Sequence, residues 1–133
     1  MFTRDWTVRF SDADPFGIAY YPRIIEEVHD TADRFLDDLG WPLWELPTEH
    51  GIGLPIVEVG STFHRPLRAG DVVTIAISPD VSTRSVRFEY TGTIDGEEAF
   101  AAFEQRVCVE VDGDEAVPIP DELHAALDGV DVS

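Results

Sequence analysis

Two carboxylates lie in a short turn-forming segment between the first predicted strand and the longest predicted helix. The segment reads Asp12-Ala13-Asp14-Pro15-Phe16-Gly17-Ile18-Ala19-Tyr20-Tyr21-Pro22. The first backbone N–H groups of a helix have no intrahelical partner, so they can bind an anion or a developing oxyanion. A carboxylate opposite them could act as a nucleophile or a general base. Together these groups predict attack on a carbonyl carbon, which is the chemistry of acyl transfer.

The same two aspartates allow other interpretations. Their Asp-x-Asp-x-x-Gly spacing resembles the start of an EF-hand calcium loop. That loop requires oxygen ligands where this chain has Phe16 and Arg23, so a calcium site of this kind is excluded. Aspartates also commonly cap turns through their side chains, and this interpretation stays open beside the catalytic one. No pair of histidines has ligand spacing, so we expect no metal site.

Two predicted elements flank the segment and would position it. Over residues 4–10, Trp6, Val8 and Phe10 alternate with polar residues, which predicts a strand. From Pro22 to Leu39 the apolar residues recur at helical spacing and form one broad stripe. Proline is favoured in a first helical turn, and Gly40 marks a stop, so both helix ends are predicted.

The rest of the chain is strand-like. Strands are predicted at 54–64, 71–78, 84–91 and 98–111, with Phe103, Val107, Val109 and Val111 sharing one face of the last. Asp95-Gly96 predicts a hairpin, and Asp121 is expected to cap a short helix over 121–127. This order predicts a single α+β domain over 1–133, in which a five-stranded antiparallel sheet wraps around one long helix. An exposed edge or face of that sheet would favour a twofold dimer.

Composition narrows the functional classes. The chain carries 27 acidic residues against nine basic ones, all arginine, for a formal charge of -18. Nucleic acids and anionic membranes need a positive surface, so we expect neither as a partner. No apolar run is long enough to span a membrane, and the first residues lack the apolar core of a secretory signal, so a cytoplasmic location is expected. The single Cys108 cannot form an intrachain disulfide and is expected to be a small buried or interfacial residue.

The segment from Val8 to Ile18, followed by Tyr20-Tyr21-Pro22, resembles the signature of hotdog-fold acyl-CoA thioesterases of the 4-hydroxybenzoyl-CoA thioesterase type. The turn from Phe63 to Asp71 resembles that family's connection into its third strand. The resemblance implies a hotdog fold that hydrolyses an acyl-CoA to free acid and CoA. It implies no cofactor apart from the CoA carried by the substrate. It also implies active sites formed between two subunits of a homodimer or homotetramer.

The resemblance also implies roles for single residues. Asp14 matches the family's catalytic aspartate, and the N–H of Tyr21 matches the group that polarises the thioester carbonyl. Gly17 would permit close approach of the backbone to the substrate. The hydroxybenzoyl branch has an acidic residue seven positions after the proline, in contact with the substrate hydroxyl, where this chain has His29. A second departure from the family pattern follows Pro22: many members have a small polar residue there, and this chain has Arg23. Thioester chemistry is therefore implied, whereas hydroxybenzoyl specificity is not.

Further residues are candidates for substrate contacts. Phe16, Tyr20 and His29 are expected in the acyl pocket, with Ile25 and Trp41 as further lining residues. His29 lies at the border of the apolar stripe, so it would either donate a hydrogen bond in the pocket or lie half-buried at a subunit contact. A CoA substrate brings several phosphates, and arginine binds phosphate well. The predicted phosphate contacts are a cluster of Arg65, Arg68, Arg84 and Arg87, although each could instead form a surface ion pair.

Two other acyl-CoA functions remain open, and a third possibility is a purely structural dimerisation module, which would neither bind nor hydrolyse acyl-CoA. A hotdog acyl-CoA hydratase or dehydratase usually pairs an aspartate with a histidine in one motif, and no histidine follows Asp14 within the loop. A non-catalytic acyl-thioester-binding protein would bind acyl-CoA without hydrolysing it. Release of free CoA thiol separates hydrolysis from mere binding.

The acidic residues are spread along the whole chain rather than gathered in a tail, which predicts a protein adapted to a cytoplasm rich in salt. At about 1 M salt the Debye length is about 3 Å, so repulsion among surface carboxylates is largely screened. Melting curves over a KCl series should therefore show the midpoint falling as KCl is removed. An unchanged midpoint at low salt would contradict a halophilic origin of the charge.

Overall fold

The computed structural model describes residues 1–130. Its main elements are β1 (Phe2–Thr7), α1 (Tyr21–Asp38), β3 (Ile56–Phe63), β4 (Val72–Val81), β5 (Ser85–Ile94), β6 (Glu97–Val107) and α3 (Asp121–Asp128). Five strands form one antiparallel sheet in the order β1-β4-β5-β6-β3. The predicted α+β class, with one long helix and a five-stranded antiparallel sheet, is confirmed. The predicted single domain ends at 133, and residues 131–133 lie outside the described residues.

Smaller elements between and after these were not predicted. They are a short helix α2 (Leu46–Glu49), a two-residue strand β2 (Ile52–Gly53) paired with β7 (Val109–Glu110), and 3₁₀ turns at Phe10–Asp12 and Leu43–Glu45. These elements are too short to show a hydrophobic period of their own. No helix among the described residues combines the length and the apolar character needed to cross a membrane.

Helix α1 packs its apolar stripe against one face of the sheet. Val28, Ala32 and Leu36 are completely buried along it. Pro22 lies in the first turn, and the helix ends before Gly40, whose φ of +86° gives the left-handed conformation that glycine adopts without strain. Arg4 of β1 also holds the helix, because its Nη1 donates to Glu27 Oε2 at 2.8 Å. The predicted helix is therefore confirmed.

The first strand is shorter than predicted. It ends at Thr7, and the chain then turns so that Phe10 is 91% exposed instead of lying inside with Trp6 and Val8. The Arg9 N–H donates to Asp12 Oδ2, and the Asp12 N–H donates to the Arg9 carbonyl. These local hydrogen bonds compete with the strand and stop it.

The apolar residues noted on the last predicted strand share one face, as predicted, and the strand buries the opposite face. Phe103, Val107 and Val109 are only half-buried and Val111 is exposed, whereas the opposite face of β6 lies under the helix. That inner face carries Phe100, Ala102, Glu104 and Arg106, followed by the completely buried Cys108. The inner face thus includes two charged residues. Their burial is possible because they pair with each other.

Helix α3 has the predicted position and a different start. Pro120 is its N-cap residue, Asp121 is the first helical residue, and no side chain caps the helix. The predicted cap by Asp121 is therefore wrong, although a carboxylate in the first turn is still favourable to the helix dipole. Leu123 and Leu127 of α3 complete the core beside β4.

Two glycines in the sheet provide a matched test of the packing. A Cβ on Gly92 would lie 2.1 Å from the ring of the fully buried Phe100, and a Cβ on Gly60 would lie 2.5 Å from the half-buried Phe103 ring. Only Phe103 has room to move. Gly92→Ala should therefore cost about 1–3 kcal/mol in the free energy of unfolding, and Gly60→Ala should cost less, as measured by urea titration. Equal costs would contradict this packing.

Candidate active site

The segment between β1 and α1 folds into a narrow hairpin. Ala13 pairs with Ala19, the Asp14 N–H donates to the Ile18 carbonyl at 2.9 Å, and the Gly17 N–H donates to the Asp14 carbonyl at 2.9 Å. Gly17 has a φ of +81°, and a Cβ there would meet nothing within 4 Å. The turn therefore requires glycine for its backbone conformation, and the space above it is open to a ligand.

The hairpin is fixed on both sides. The Tyr20 N–H donates to the Asp12 carbonyl at 2.8 Å, so the aspartate strand of the hairpin runs beside the residues that begin α1. On the other side the Ala19 N–H donates to the Leu67 carbonyl at 2.6 Å, in the turn between β3 and β4. The structure thus bonds the hairpin that carries Asp14 to the start of the helix through the Asp12 carbonyl.

Both aspartates accept hydrogen bonds within the turn. Asp12 Oδ2 accepts from the Arg9 N–H, and Asp14 Oδ1 accepts from the Phe16 N–H, each at 2.8 Å. The turn-capping interpretation is therefore confirmed for both residues. In Asp14 the bond occupies one oxygen only. Among residues 1–130 no donor contacts its Oδ2, which leaves one carboxylate oxygen for a substrate or a water molecule.

The start of α1 presents an unpaired donor. Tyr20 is the N-cap residue without a side-chain cap, and Pro22 has no N–H. The Arg23 N–H already donates to the Tyr20 carbonyl. Within the described part of the chain, no acceptor bonds the N–H of Tyr21. This amide is therefore free to bind an oxyanion at the positive end of the helix dipole.

A cavity of about 390 Å³ opens beside this amide. One wall comes from the hairpin and α1, and the other from the end of β3 and the turn after it; the lining includes Ile18, Tyr21, Ile24, Phe63, Pro66 and Leu67. Most of the wall is apolar, which suits a hydrophobic acyl group. Asp14 is not part of the lining, but its own N–H bonds to the carbonyl of the lining residue Ile18.

Several residues predicted for the pocket lie elsewhere. Phe16 is 85% exposed at the tip of the hairpin, and the exposed Tyr20 does not line the cavity. Trp41 stacks on His50 with ring centroids 4.4 Å apart. One chain therefore does not gather these side chains around the cavity, and a pocket shared by two subunits stays a prediction.

The four predicted phosphate-binding arginines do not form one cluster in the chain. Arg65 and Arg68 lie in the turn before β4, and Arg65 lines the cavity. Arg84 lies in the hairpin after β4, so about 30 Å of strand separates it from that turn. Arg87 is held on the outer face of the sheet, over the Phe103 ring at 3.9 Å and bonded to Glu89. The antiparallel order of the strands separates the two pairs.

His29 contacts a buried ionic network that sequence analysis missed. Glu104 and Arg106 of β6 have side chains only 1% and 3% exposed, and Arg106 Nη2 donates to Glu104 Oε1 at 3.0 Å. Tyr90 of β5 donates its hydroxyl to the same oxygen at 2.6 Å. The Nδ1 atom of His29 lies 3.1 Å from Arg106 Nη2 and 3.5 Å from Glu104 Oε2, while the His29 side chain remains 53% exposed.

The network shifts the pKa values of its members. The hydrogen bond to Glu104 raises the pKa of His29 against the opposing effects of burial and the Arg106 charge. Burial alone would raise the pKa of Glu104. Contacts with His29, Arg106 and Tyr90 outweigh that effect, so the pKa lies below its usual value. Burial, followed by the charge of Glu104, raises the pKa of Tyr90. The network therefore holds a charged Glu104 at neutral pH.

One sequence signal could have revealed this network. Glu104 and Arg106 continue the two-residue period of Phe100 and Ala102, so both charges lie on a face that begins as apolar. In residues 1–130, no group of three or more His, Cys, Asp or Glu side chains could hold a metal ion. The polar chemistry of the described chain is thus concentrated at the hairpin and at this network.

Comparison with known proteins defines the class. The family model of the thioesterase-like superfamily matches residues 8–127. The chain belongs to this superfamily, and the predicted family of thioester hydrolases is confirmed at that level. The match covers every element from the hairpin to α3.

Particular relatives share most of the chain. A protein of Thermosynechococcus vestitus named 1,4-dihydroxy-2-naphthoyl-CoA hydrolase is 32% identical over 91% of this chain and 84% of its own length. A gentisyl-coenzyme A thioesterase structure superimposes with a TM-score of 0.83, at 30% identity over 94% of this chain and 98% of that one. The 4-hydroxybenzoyl-CoA thioesterase of Pseudomonas sp. strain CBS-3 gives a TM-score of 0.82, at 26% identity over 92% and 96% of the two chains. These likenesses confirm the predicted hotdog fold.

Proposed function

We propose that this chain hydrolyses the thioester bond of an acyl-CoA, with Asp14 as the catalytic carboxylate and the Tyr21 N–H as the oxyanion donor. The observation that carries the proposal is the unpaired Tyr21 amide at the mouth of an apolar cavity, with the Asp14 hairpin bonded to the same helix start. Membership of the thioesterase-like superfamily supports it. The reaction uses side-chain and backbone groups of the chain and needs no cofactor beyond the substrate's own CoA.

The chemistry follows from the placement of these groups. Asp14 either attacks the carbonyl carbon directly or removes a proton from a water molecule whose oxygen attacks it. The carbonyl oxygen becomes negative in both routes, and the Tyr21 N–H stabilises it. The C–S bond then breaks, and CoA leaves as a thiolate that takes up a proton. In the direct route, water afterwards hydrolyses the acyl-aspartyl anhydride.

The acyl group in this proposal is aromatic. The three relatives described above are named for dihydroxynaphthoyl, gentisyl and hydroxybenzoyl thioesters, which share an aromatic acyl group with hydroxyl substituents. The cavity offers Phe63, Pro66 and Leu67 as flat or apolar contacts for a ring. Arg65 lines the cavity and Arg68 lies in the same turn, and both would bind CoA phosphates, which a chain of charge -18 must attract locally.

A matched pair of variants tests the role of Asp14. An asparagine can keep the hydrogen bond from the Phe16 N–H, so Asp14→Asn removes the charge and leaves the turn in place. We expect it to lower kcat at least about 100-fold, because a nucleophile or base is lost. Asp12→Asn removes a charge two residues away and should keep nearly full activity.

Release of CoA thiol, followed with a thiol reagent, measures both variants. Normal turnover by Asp14→Asn would refute the catalytic assignment. If the wild-type chain binds acyl-CoA and releases no thiol, it is a binding protein instead. Formation of a hydrated or dehydrated acyl-CoA would establish the alternative hydratase or dehydratase activity.

We also propose that the chain acts as a homodimer formed through β3. This strand is at the edge of the sheet and exposes Ile56, Val57, Val59 and Phe63. An edge strand has unpaired backbone groups, and one that is also apolar is a ready surface for pairing with another chain. Because Phe63 also lines the cavity, a second subunit there would complete its open side. A homotetramer would join two such dimers.

Val59→Asp tests the dimer, because it places a charge in the centre of the exposed edge. We expect the variant to sediment as a monomer in analytical ultracentrifugation and to lose activity with the second subunit. Val111→Asp introduces the same change at another exposed valine and should leave the oligomer intact. A wild-type monomer, or dimers in both variants, would disprove an interface at β3.

A further inference from the structure

His64 lies on the cavity wall opposite Tyr21, and a carboxylate holds its ring. The residue directly follows β3, and its backbone N–H donates to the Ala99 carbonyl at 2.8 Å. Its Nε2 atom lies 2.9 Å from Oε2 of Glu98, near the start of β6. His64 and Tyr21 both line the cavity. The pairing of β3 with β6 therefore places a carboxylate–imidazole pair at the candidate active site.

The Glu98 carboxylate determines which nitrogen of His64 can exchange a proton. An ionised carboxylate only accepts hydrogen bonds, so Nε2 carries a proton in both the neutral and the charged ring. Nδ1 is then the nitrogen that gains or loses a proton. Among residues 1–130 no group bonds Nδ1, and the side chain is 42% exposed, so solvent reaches the ring. A carboxylate on the far nitrogen is the arrangement that orients an imidazole for proton transfer.

The other polar side chains of the wall are poor proton donors. Of the described residues that line the cavity, Tyr21, His64 and Arg65 have side chains with an O–H or N–H group. A guanidinium does not release its proton, and a phenolic hydroxyl ordinarily does so only at about pH 10. An imidazole exchanges a proton near neutral pH. His64 is therefore the wall residue whose chemistry suits proton transfer.

Hydrolysis of a thioester requires a proton at the sulfur. The C–S electron pair moves to sulfur when the bond breaks, and a thiol with a pKa of about 8.5 is protonated at neutral pH. Asp14 lies in the hairpin beside the cavity, and the whole chain carries a charge of -18. A second anion is electrostatically unfavourable there. A proton donated while the bond breaks avoids the formation of that anion.

We propose that His64 is a catalytic general acid, whose charged ring gives its Nδ1 proton to the CoA sulfur as the C–S bond breaks, and that Glu98 is a positioning residue that orients the ring. This inference rests on the proposed thioesterase function and identifies the source of the proton that CoA takes up. The oxyanion electron pair re-forms the C=O bond, and CoA leaves as a thiol. One proton of the attacking water returns to the ring through solvent, and the other is released with the carboxylate product.

The test varies the leaving group while the acyl group stays benzoyl. CoA and N-acetylcysteamine are alkyl thiols, and the second has no phosphates; 4-nitrothiophenol leaves readily as a thiolate and needs no proton. His64→Gln keeps an N–H for Glu98 and cannot release a proton. We expect it to lower kcat/KM about 100-fold on both alkyl thioesters and less than about threefold on the nitrothiophenyl ester.

The pattern of loss separates proton donation from other roles of His64. Equal losses on all three esters would indicate a structural role, and a loss on the CoA ester alone would indicate phosphate binding; either result overturns the general acid. Unchanged rates on all three would overturn it as well. His124→Gln changes a histidine of α3 outside the cavity wall and should leave every rate unchanged.

Two neighbouring glutamates provide the matched test of positioning. Glu98→Ala should lower kcat/KM about tenfold on the alkyl thioesters and spare the nitrothiophenyl ester, because the ring loses its orientation. Glu97→Ala removes the same charge from a residue that lies 3.8 Å from Arg65, and its effect should not depend on the leaving group. Exposed ion pairs contribute little stability, so urea titration should show both variants folded. The same leaving-group pattern in both variants would overturn the positioning role.

Failure of this inference differs from failure of the proposed function. If the wild-type chain releases no thiol from any of the three esters, the thioesterase proposal itself fails. If Asp14→Asn abolishes hydrolysis while His64→Gln shows no dependence on the leaving group, the thioesterase proposal stands and only the role of His64 fails.

Discussion

The proposed chemistry depends on one constraint, which is that the first amide of α1 stays unpaired while a carboxylate is held beside it. A helix end usually recruits a side chain or the preceding backbone as a cap. Here Tyr20 has no capping side chain and Pro22 removes one N–H, so the Tyr21 amide stays open. The hairpin bonds to the Tyr20 N–H through the Asp12 carbonyl and leaves Tyr21 untouched. The sheet under α1 holds this arrangement rigid.

The buried ion pair of Glu104 and Arg106 is a second constraint on the fold. Taking Glu104 and Arg106 out of water costs several kcal/mol for each charge, and apolar residues of the same size often stabilise a protein as well or better. The pair is nevertheless the point at which the sheet contacts the exposed His29. Tyr90 of β5 donates a second hydrogen bond to the Glu104 oxygen that Arg106 contacts.

The surface of the chain combines strong negative charge with one apolar edge. The charge of -18 opposes association of two copies, whereas β3 exposes four large apolar side chains at an unpaired strand. Salt screens the repulsion and leaves the contact between apolar residues, so the proposed dimer should be more stable at high salt. The negative charge of the chain also repels the phosphates of CoA. Arg65, which lines the cavity, places a positive charge where those phosphates would bind.

Hydrophobic period and turn residues determined the order of elements, the length of α1 and the place of the Asp14 hairpin, because those signals are local. The tertiary structure decided what depends on distant residues. Phe10 lies outside the strand because Asp12 bonds the turn, and β6 buries its charged face because Arg106 pairs with Glu104 and Tyr90 of β5 bonds the same carboxylate. The four arginines are separated because Arg65 and Arg68 precede β4 whereas Arg84 and Arg87 follow it, so the length of the strand lies between the two pairs. Sequence spacing reports which face of an element a residue occupies, whereas only packing supplies the partner that makes a buried charge or an open amide stable.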